Sequence, residues 1–327
     1  MRRLLEAGFL LSAIAVAIAQ SPAPPLASPY SDALAHANAA LQAGEADRAL
    51  SLLGPLPNSA EARNLKCRVY FMIERYDEAA AECEQAVALE GQNSNYHLWF
   101  GRALGEKAEN ASFISAYSLA KHARAEFEQA VGLDSHNVAA LTDLGEFYTS
   151  APGVVGGGND KAEGLLPMLD KIDPESAHQL RGRMAESRKD YGSAEREYQL
   201  AIRASQHPSF PWMSLGSFYR KRERFDQMES AVQNGYKAAL RDKTAGVALY
   251  NGASVLIRGE RNLALAAEML KRYLTDYSKS EEAPAFVAHT RLAHLKSQLG
   301  DAPGAWQERT AALQLAHDYK PALALKF

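Results

Sequence analysis

Several signals are missing from this 327-residue chain, and each absence removes a class of function. It lacks a charge excess: 36 Lys and Arg stand against 39 Asp and Glu, a formal net charge of -3, and no long basic stripe appears. A nucleic-acid partner is disfavoured, because phosphate backbones are held by clustered cations. Cysteine is nearly absent, with only Cys67 and Cys83, so there is no C-x-x-C redox or zinc pair and no C-x-x-C-H for haem. Nor is there an H-E-x-x-H or a G-x-S-x-G. The nine histidines form no ligand pattern; His289 and His294 are five apart, which puts them on different helix faces. Paired acids such as Glu281-Glu282 read as solvated turn residues. No cofactor, no metal and no catalytic set is expected. Runs of Val, Ile and Thr are scarce, and the 47% hydrophobic content comes mainly from Ala and Leu. That balance favours helices over sheets.

The one markedly apolar stretch is at the start. Arg2 and Arg3 precede an apolar run from Ala7 to Ala19, which ends in Ala17-Ile18-Ala19 before Gln20. A positive start, an apolar run and a small-x-small end make a secretory signal. The run is shorter than the ~20 residues of a membrane span. An uncleaved membrane-associating helix is the competing reading, and Glu6 at the edge of the run weakens the signal pattern. No Cys follows the cleavage site, which disfavours a lipoprotein. Residues 20–30 carry Pro22, Pro24, Pro25 and Pro29 and read as an extended linker. The expected organisation is a signal peptide at 1–19, a linker at 20–30 and one folded array over 31–327. The processed chain is expected in the periplasm or secreted, with no membrane span.

A repeat runs through the rest. Trp212-x2-Leu215-Gly216-x2-Tyr219 is echoed by Leu141-x2-Leu144-Gly145-x2-Tyr148. A second pattern, small residue then aromatic then Ala, recurs at Ala123/Phe127/Ala130 and Ala194/Tyr198/Ala201, and at Ala79/Cys83/Ala86 with Cys in the aromatic place. Twelve residues separate the paired small positions Cys67 and Ala79, Gly182 and Ala194, Gly216 and Met228, and Ala293 and Ala305. Small residues let two antiparallel helices approach closely while the aromatic fills the groove beside them. The segments Leu89-Glu90-Gly91-x-Asn93, Leu133-Asp134-Ser135-x-Asn137 and Ile172-Asp173-Pro174 look like unit boundaries.

These motifs resemble the tetratricopeptide repeat family, whose helix-turn-helix unit opens W-x2-L-G-x2-Y. The resemblance implies an all-α α-solenoid, a right-handed superhelix of about eight units. They start near Ser31, Ala60, Ser94, Val138, Glu175, Ser209, Ala245 and Phe286, with the first and seventh degenerate. Terminal units are expected to turn an outer face to water. Insertions lengthen the third and fourth units, near 106–117 and 151–158, and both are expected on one rim. The second contains Pro152 and Gly156-Gly157-Gly158 but is followed by Asn159-Asp160, so it lacks the Lys-Ser/Thr of a phosphate loop. It reads as a helix terminator or as a flap over the neighbouring groove.

In the repeat register Cys67 and Cys83 face each other across one hairpin. Two states stay open, a disulfide or two buried thiols. The resemblance also implies that first helices line a concave face where a protein or peptide partner binds. The candidate contacts there are Arg68, Arg102, Glu146, Arg183, Ser217, Arg220 and Lys221. The family's carboxylate-clamp set is not reproduced. A non-catalytic protein-binding scaffold outside the cytoplasm is therefore expected. The alternative is an enzyme with an unrecognised site on the insertion rim, near Asn110–Tyr117 and Gly153–Asp160.

Overall fold

A computed structural model describes residues 29–327. The proposed signal peptide and most of the linker lie outside the described residues. Among the described residues, α-helices follow one another as hairpins: α1 (Pro29–Ala43) with α2 (Ala46–Leu53), α3 (Ala60–Met72) with α4 (Tyr76–Leu89), and α5 (Ser94–Glu109) with α6 (Phe113–Leu133). In the fourth unit α7 (Val138–Ser150) pairs with two short helices, α8 (Asn159–Glu163) and α9 (Leu166–Ile172). Then come α10 (Pro174–Ser187) with α11 (Tyr191–Ala204), and α12 (Ser209–Lys221) with α13 (Phe225–Ala239). The last pairs are α14 (Gly246–Arg258) with α15 (Leu263–Asp276), and α16 (Ala285–Gln298) with α17 (Ala302–Leu315), before a final short α18 (Lys320–Ala324). This is an α-solenoid of eight helical hairpins, and each starts within two residues of the position expected from sequence. The first is the exception to the linker boundary, since α1 begins at Pro29.

Local chemistry sets the hairpin ends. Asn93, Asn137 and Asp173, read from sequence as boundary residues, cap the next helix: their side chains accept from the backbone N–H of Asn95, Ala140 and Ser176. Inside six hairpins the turn is made the same way, with a residue at positive φ, Gly44, Glu74, Lys189, Glu223, Glu260 or Gly300, joined in the α14–α15 turn by Asn262. The next N–H reaches back five residues, as in Arg75 to Tyr70, Asp190 to Ala185 and Arg224 to Tyr219, at 2.9 to 3.0 Å. This is the left-handed helix cap that satisfies the orphan carbonyls of a helix end.

The small positions are where helices touch. A Cβ at Gly101 would lie 2.6 Å from the Phe127 ring, and one at Gly182 would lie 2.9 Å from the Tyr198 ring. Cys67 and Cys83 are fully buried, stand 5.2 Å apart at Cα and are joined by a disulfide. A further pairing recurs between the helices of a hairpin. Arg63 meets Glu82, His97 meets Glu126, His178 meets Glu197 and His289 meets Glu308, at 2.6 to 2.8 Å.

The two insertions are built differently. The first is absorbed by extending α5 and α6, so the turn itself is only Asn110 to Ser112, and the lengthened tip exposes Phe113 and Ile114. The second is a true loop. Pro152 leads into a 3-10 turn at Gly153–Val155, Gly156 adopts φ 98°, and a Cβ at Gly156 would collide with the Arg124 side chain of α6. Lys161 Nζ donates to the Gly156 carbonyl at 2.8 Å. The loop thus lies against Arg124 of α6 and is fastened to α8 of its own unit.

The ends of the array do not face water as expected; they close on each other. Leu41, Leu53, Leu65 and Val69 share one buried cluster with Phe286, Ala312, Ala316 and Tyr319. Glu281, just ahead of α16, takes two hydrogen bonds from Arg68, at 2.7 and 2.8 Å, and one from Gln42 at 3.1 Å. Asp47 accepts from the backbone N–H and Nδ1 of His317, Asp318 pairs with Arg75 at 3.1 Å, and the Tyr319 hydroxyl donates to Glu74. A Cβ at Gly44 would lie 2.5 Å from the backbone N of Ala285, so the contact demands glycine twice over, for space and for its φ of +75°. The physical reason is the apolar outer face of each end unit. An open array would leave it in water, and closure buries both together.

Candidate functional site

The first helices of consecutive units, α7, α10, α12, α14 and α16, contribute to one cleft of about 670 Å³. Residues one turn apart on α12 (Ser214, Ser217, Lys221) and on α14 (Tyr250, Ser254, Arg258) point into it. Its walls are part apolar, from Phe210, Met213, Phe218 and Val255, and part charged. That mixture suits a ligand whose body packs while polar groups fix its orientation.

Of the seven candidate contacts named from sequence, the fold brings five together here: Glu146, Arg183, Ser217, Arg220 and Lys221. Arg183 Nη1 pairs with Glu146 at 2.6 Å, and Lys221 Nζ lies 3.6 Å from Glu186. The Nε of Arg220 is buried without a hydrogen-bond partner. Arg68 and Arg102 are used elsewhere. Arg68 is the clasp to Glu281, and Arg102 holds Asp143 of the next unit at 2.5 Å. Both also lie over the Trp99 ring, at 5.5 and 4.6 Å.

Sequence reasoning missed Tyr250, Ser254, Arg258 and Arg291, which complete the cleft. Arg291 stacks 4.3 Å above the Tyr250 ring and donates to the Ser254 hydroxyl. Three of them sit in the seventh unit, whose degenerate pattern hid its inner face. Ser254 does follow Ala253 as Ser217 follows Gly216, and that register was the available signal. Burial holds the Glu175 carboxyl above the usual carboxylate range, with Asp173 adding to it. Burial also raises the Tyr250 hydroxyl, against the opposing pull of Arg291 and Arg258. The Tyr198 hydroxyl is raised by burial and by Glu186, to which it donates at 2.5 Å.

A second group, Asp47, His317 and Asp318, brings its ligand atoms within 4.8 Å of one another. Its internal pairings account for it: His317 is bound to Asp47, and Asp318 to Arg75.

Eight hairpins join through small residues at the helix contacts, and their first helices share an inner face. Among the described residues the chain is an all-α solenoid of helix-turn-helix units. No family model matches it, and no curated protein does. Among solved structures it is similar to a chain of the APC/C hetero-tetramer Cut9-Hcn1, at 16% identity and TM-score 0.42, over 89% of this chain and 54% of that one. It therefore spans about half the length of that relative. It is also similar to the C-terminal part of a TPR repeat-containing protein from Cytophaga hutchinsonii, at 14% identity and TM-score 0.40, over 90% of this chain and 100% of that one. A tetratricopeptide repeat protein from Parabacteroides merdae gives 15% identity and TM-score 0.38, over 82% and 98%. Likeness this distant carries no function. No helix among the described residues is long and apolar enough to cross a membrane.

Proposed function

We propose that this repeat array is a non-catalytic protein-binding scaffold that works outside the cytoplasm and takes a segment of its partner into the inner cleft. The observation that carries the reading is the cleft itself: five first helices supply one concavity with apolar walls and three arginines, Arg220, Arg258 and Arg291, that no carboxylate pairs among the described residues. An exported location is supported by the signal-like pattern of residues 1–19 and by the Cys67–Cys83 bond, which persists in oxidising compartments.

The test is site-resolved crosslinking. A photoreactive residue at Ser217 or Asn251, both lining the cleft, is compared with one at exposed Lys237 on α13. A discrete crosslinked polypeptide from the cleft positions and none from Lys237 is expected in the extracytoplasmic fraction. Equal labelling from both faces, or none from the cleft, overturns the proposal.

A further inference from the structure

The charges that face the cleft do not balance. Arg183 is neutralised by Glu146 and Lys221 by Glu186. That leaves Arg220, Arg258 and Arg291, and no carboxylate pairs with any of the three among the described residues. Against them stands Glu175, whose carboxylate already accepts from Gln179 at 3.0 Å. Two positive charges remain in surplus in a partly enclosed, partly apolar cavity. There counter-charge is worth more than at an open surface.

Two of the three guanidiniums are not loose side chains. Arg291 is fixed by its stack on Tyr250 and its bond to Ser254. Arg258 follows Ser254 by one helical turn on α14, on the same face. Arg220 is packed so tightly that its Nε is out of solvent. Ser217, one turn before Lys221, adds a hydroxyl from α12. A carboxylate offers two oxygens in one plane and is served by a single guanidinium fork. A phosphate monoester carries about two negative charges and three acceptor oxygens, matching three forks and a hydroxyl.

We propose that the inner cleft is a phosphate-monoester site, with Arg220, Arg258 and Arg291 as its ligands and the apolar wall receiving the body that carries the phosphate. The assignment rests on the scaffold reading for its ligand, a phosphorylated peptide segment, but its own test needs no partner.

Calorimetry on the full chain uses inorganic phosphate, phosphoserine, a short phosphoserine peptide and succinate. Inorganic phosphate and phosphoserine are expected to bind one per chain, with the peptide tighter than either and succinate at least about tenfold weaker than phosphate. Arg258→Gln and Arg291→Gln are each expected to weaken phosphate binding by about tenfold or more, and Arg258→Lys by less. Absence of phosphate binding by the wild-type chain overturns the proposal, as does succinate binding equal to phosphate. Unchanged affinity in all three variants, with helical circular dichroism retained, also overturns it. A peptide no tighter than inorganic phosphate overturns the peptide source and leaves a free phosphorylated compound as ligand. Failure of cleft crosslinking with phosphate binding intact would defeat the scaffold reading alone.

Discussion

Single residues decide how closely the helices approach. Replacing Gly101 by Val drives a branched side chain into the Phe127 ring, which a Cβ alone would meet at 2.6 Å. A loss of about 1–3 kcal/mol is expected from overpacking, read as a lower urea midpoint at unchanged slope. The Cys67–Cys83 bond spans a sequence separation of 16. By the chain-entropy argument its removal in Cys67→Ala/Cys83→Ala should destabilise by about 3 kcal/mol, measured by denaturant titration against the oxidised parent. The twelve-residue register made the small positions legible from sequence, because close helix approach tolerates few residue types. The partners of charged residues were not legible. Nothing around Arg68 announces Glu281, since an ion pair over so long a separation leaves no local periodicity.

At the level of the helical hairpin, a single turn design is reused with whatever residue stands in the left-handed position. Glycine fills it at Gly44 and Gly300, but Lys189 and Glu223 adopt φ 62° and 56° there. A side chain in that region costs about 1–2 kcal/mol, partly offset by glycine's greater freedom in the unfolded chain. Exposed Lys189→Gly is accordingly expected to raise stability by up to about 1 kcal/mol, seen as a higher thermal midpoint. The His/Arg–Glu pairing inside hairpins obeys the same register as the small residues, four positions before the first and three after the second. His97 and Glu126 differ only by the lengthened α5–α6 arms. That pattern was present in the sequence and readable once the register was fixed. The division of the fourth unit's second helix into α8 and α9 was less so, because the Gly-rich stretch gives a terminator without saying where helix resumes.

For the whole molecule, the decisive feature is closure, which the repeat pattern alone cannot signal. Arg68 and Glu281 have side chains only 16% and 10% exposed. Removing one charge of so buried a pair leaves the other uncompensated, so Glu281→Gln should cost about 3–5 kcal/mol. The seam should open as well, with a larger radius of gyration in X-ray scattering. The exchanged pair Arg68→Glu/Glu281→Arg should recover part of both. A softer contact lies beside it. A hydrogen bond to Asp47 and then its charge hold the His317 imidazole above its ordinary value. A raised folded pKa means that its contribution is complete below about pH 6.5, the unfolded value, and fades as pH climbs through the folded one. His317→Gln should therefore lower the denaturation midpoint in acid and lose that effect toward alkaline pH. Closure also bears on the order of assembly. Hairpins need only neighbours to form, whereas the seam must unite segments more than two hundred positions apart, and joining distant segments is slow. Refolding should be biphasic, with helix content returning first and a later phase, absent in Glu281→Gln, marking the moment the circuit is completed.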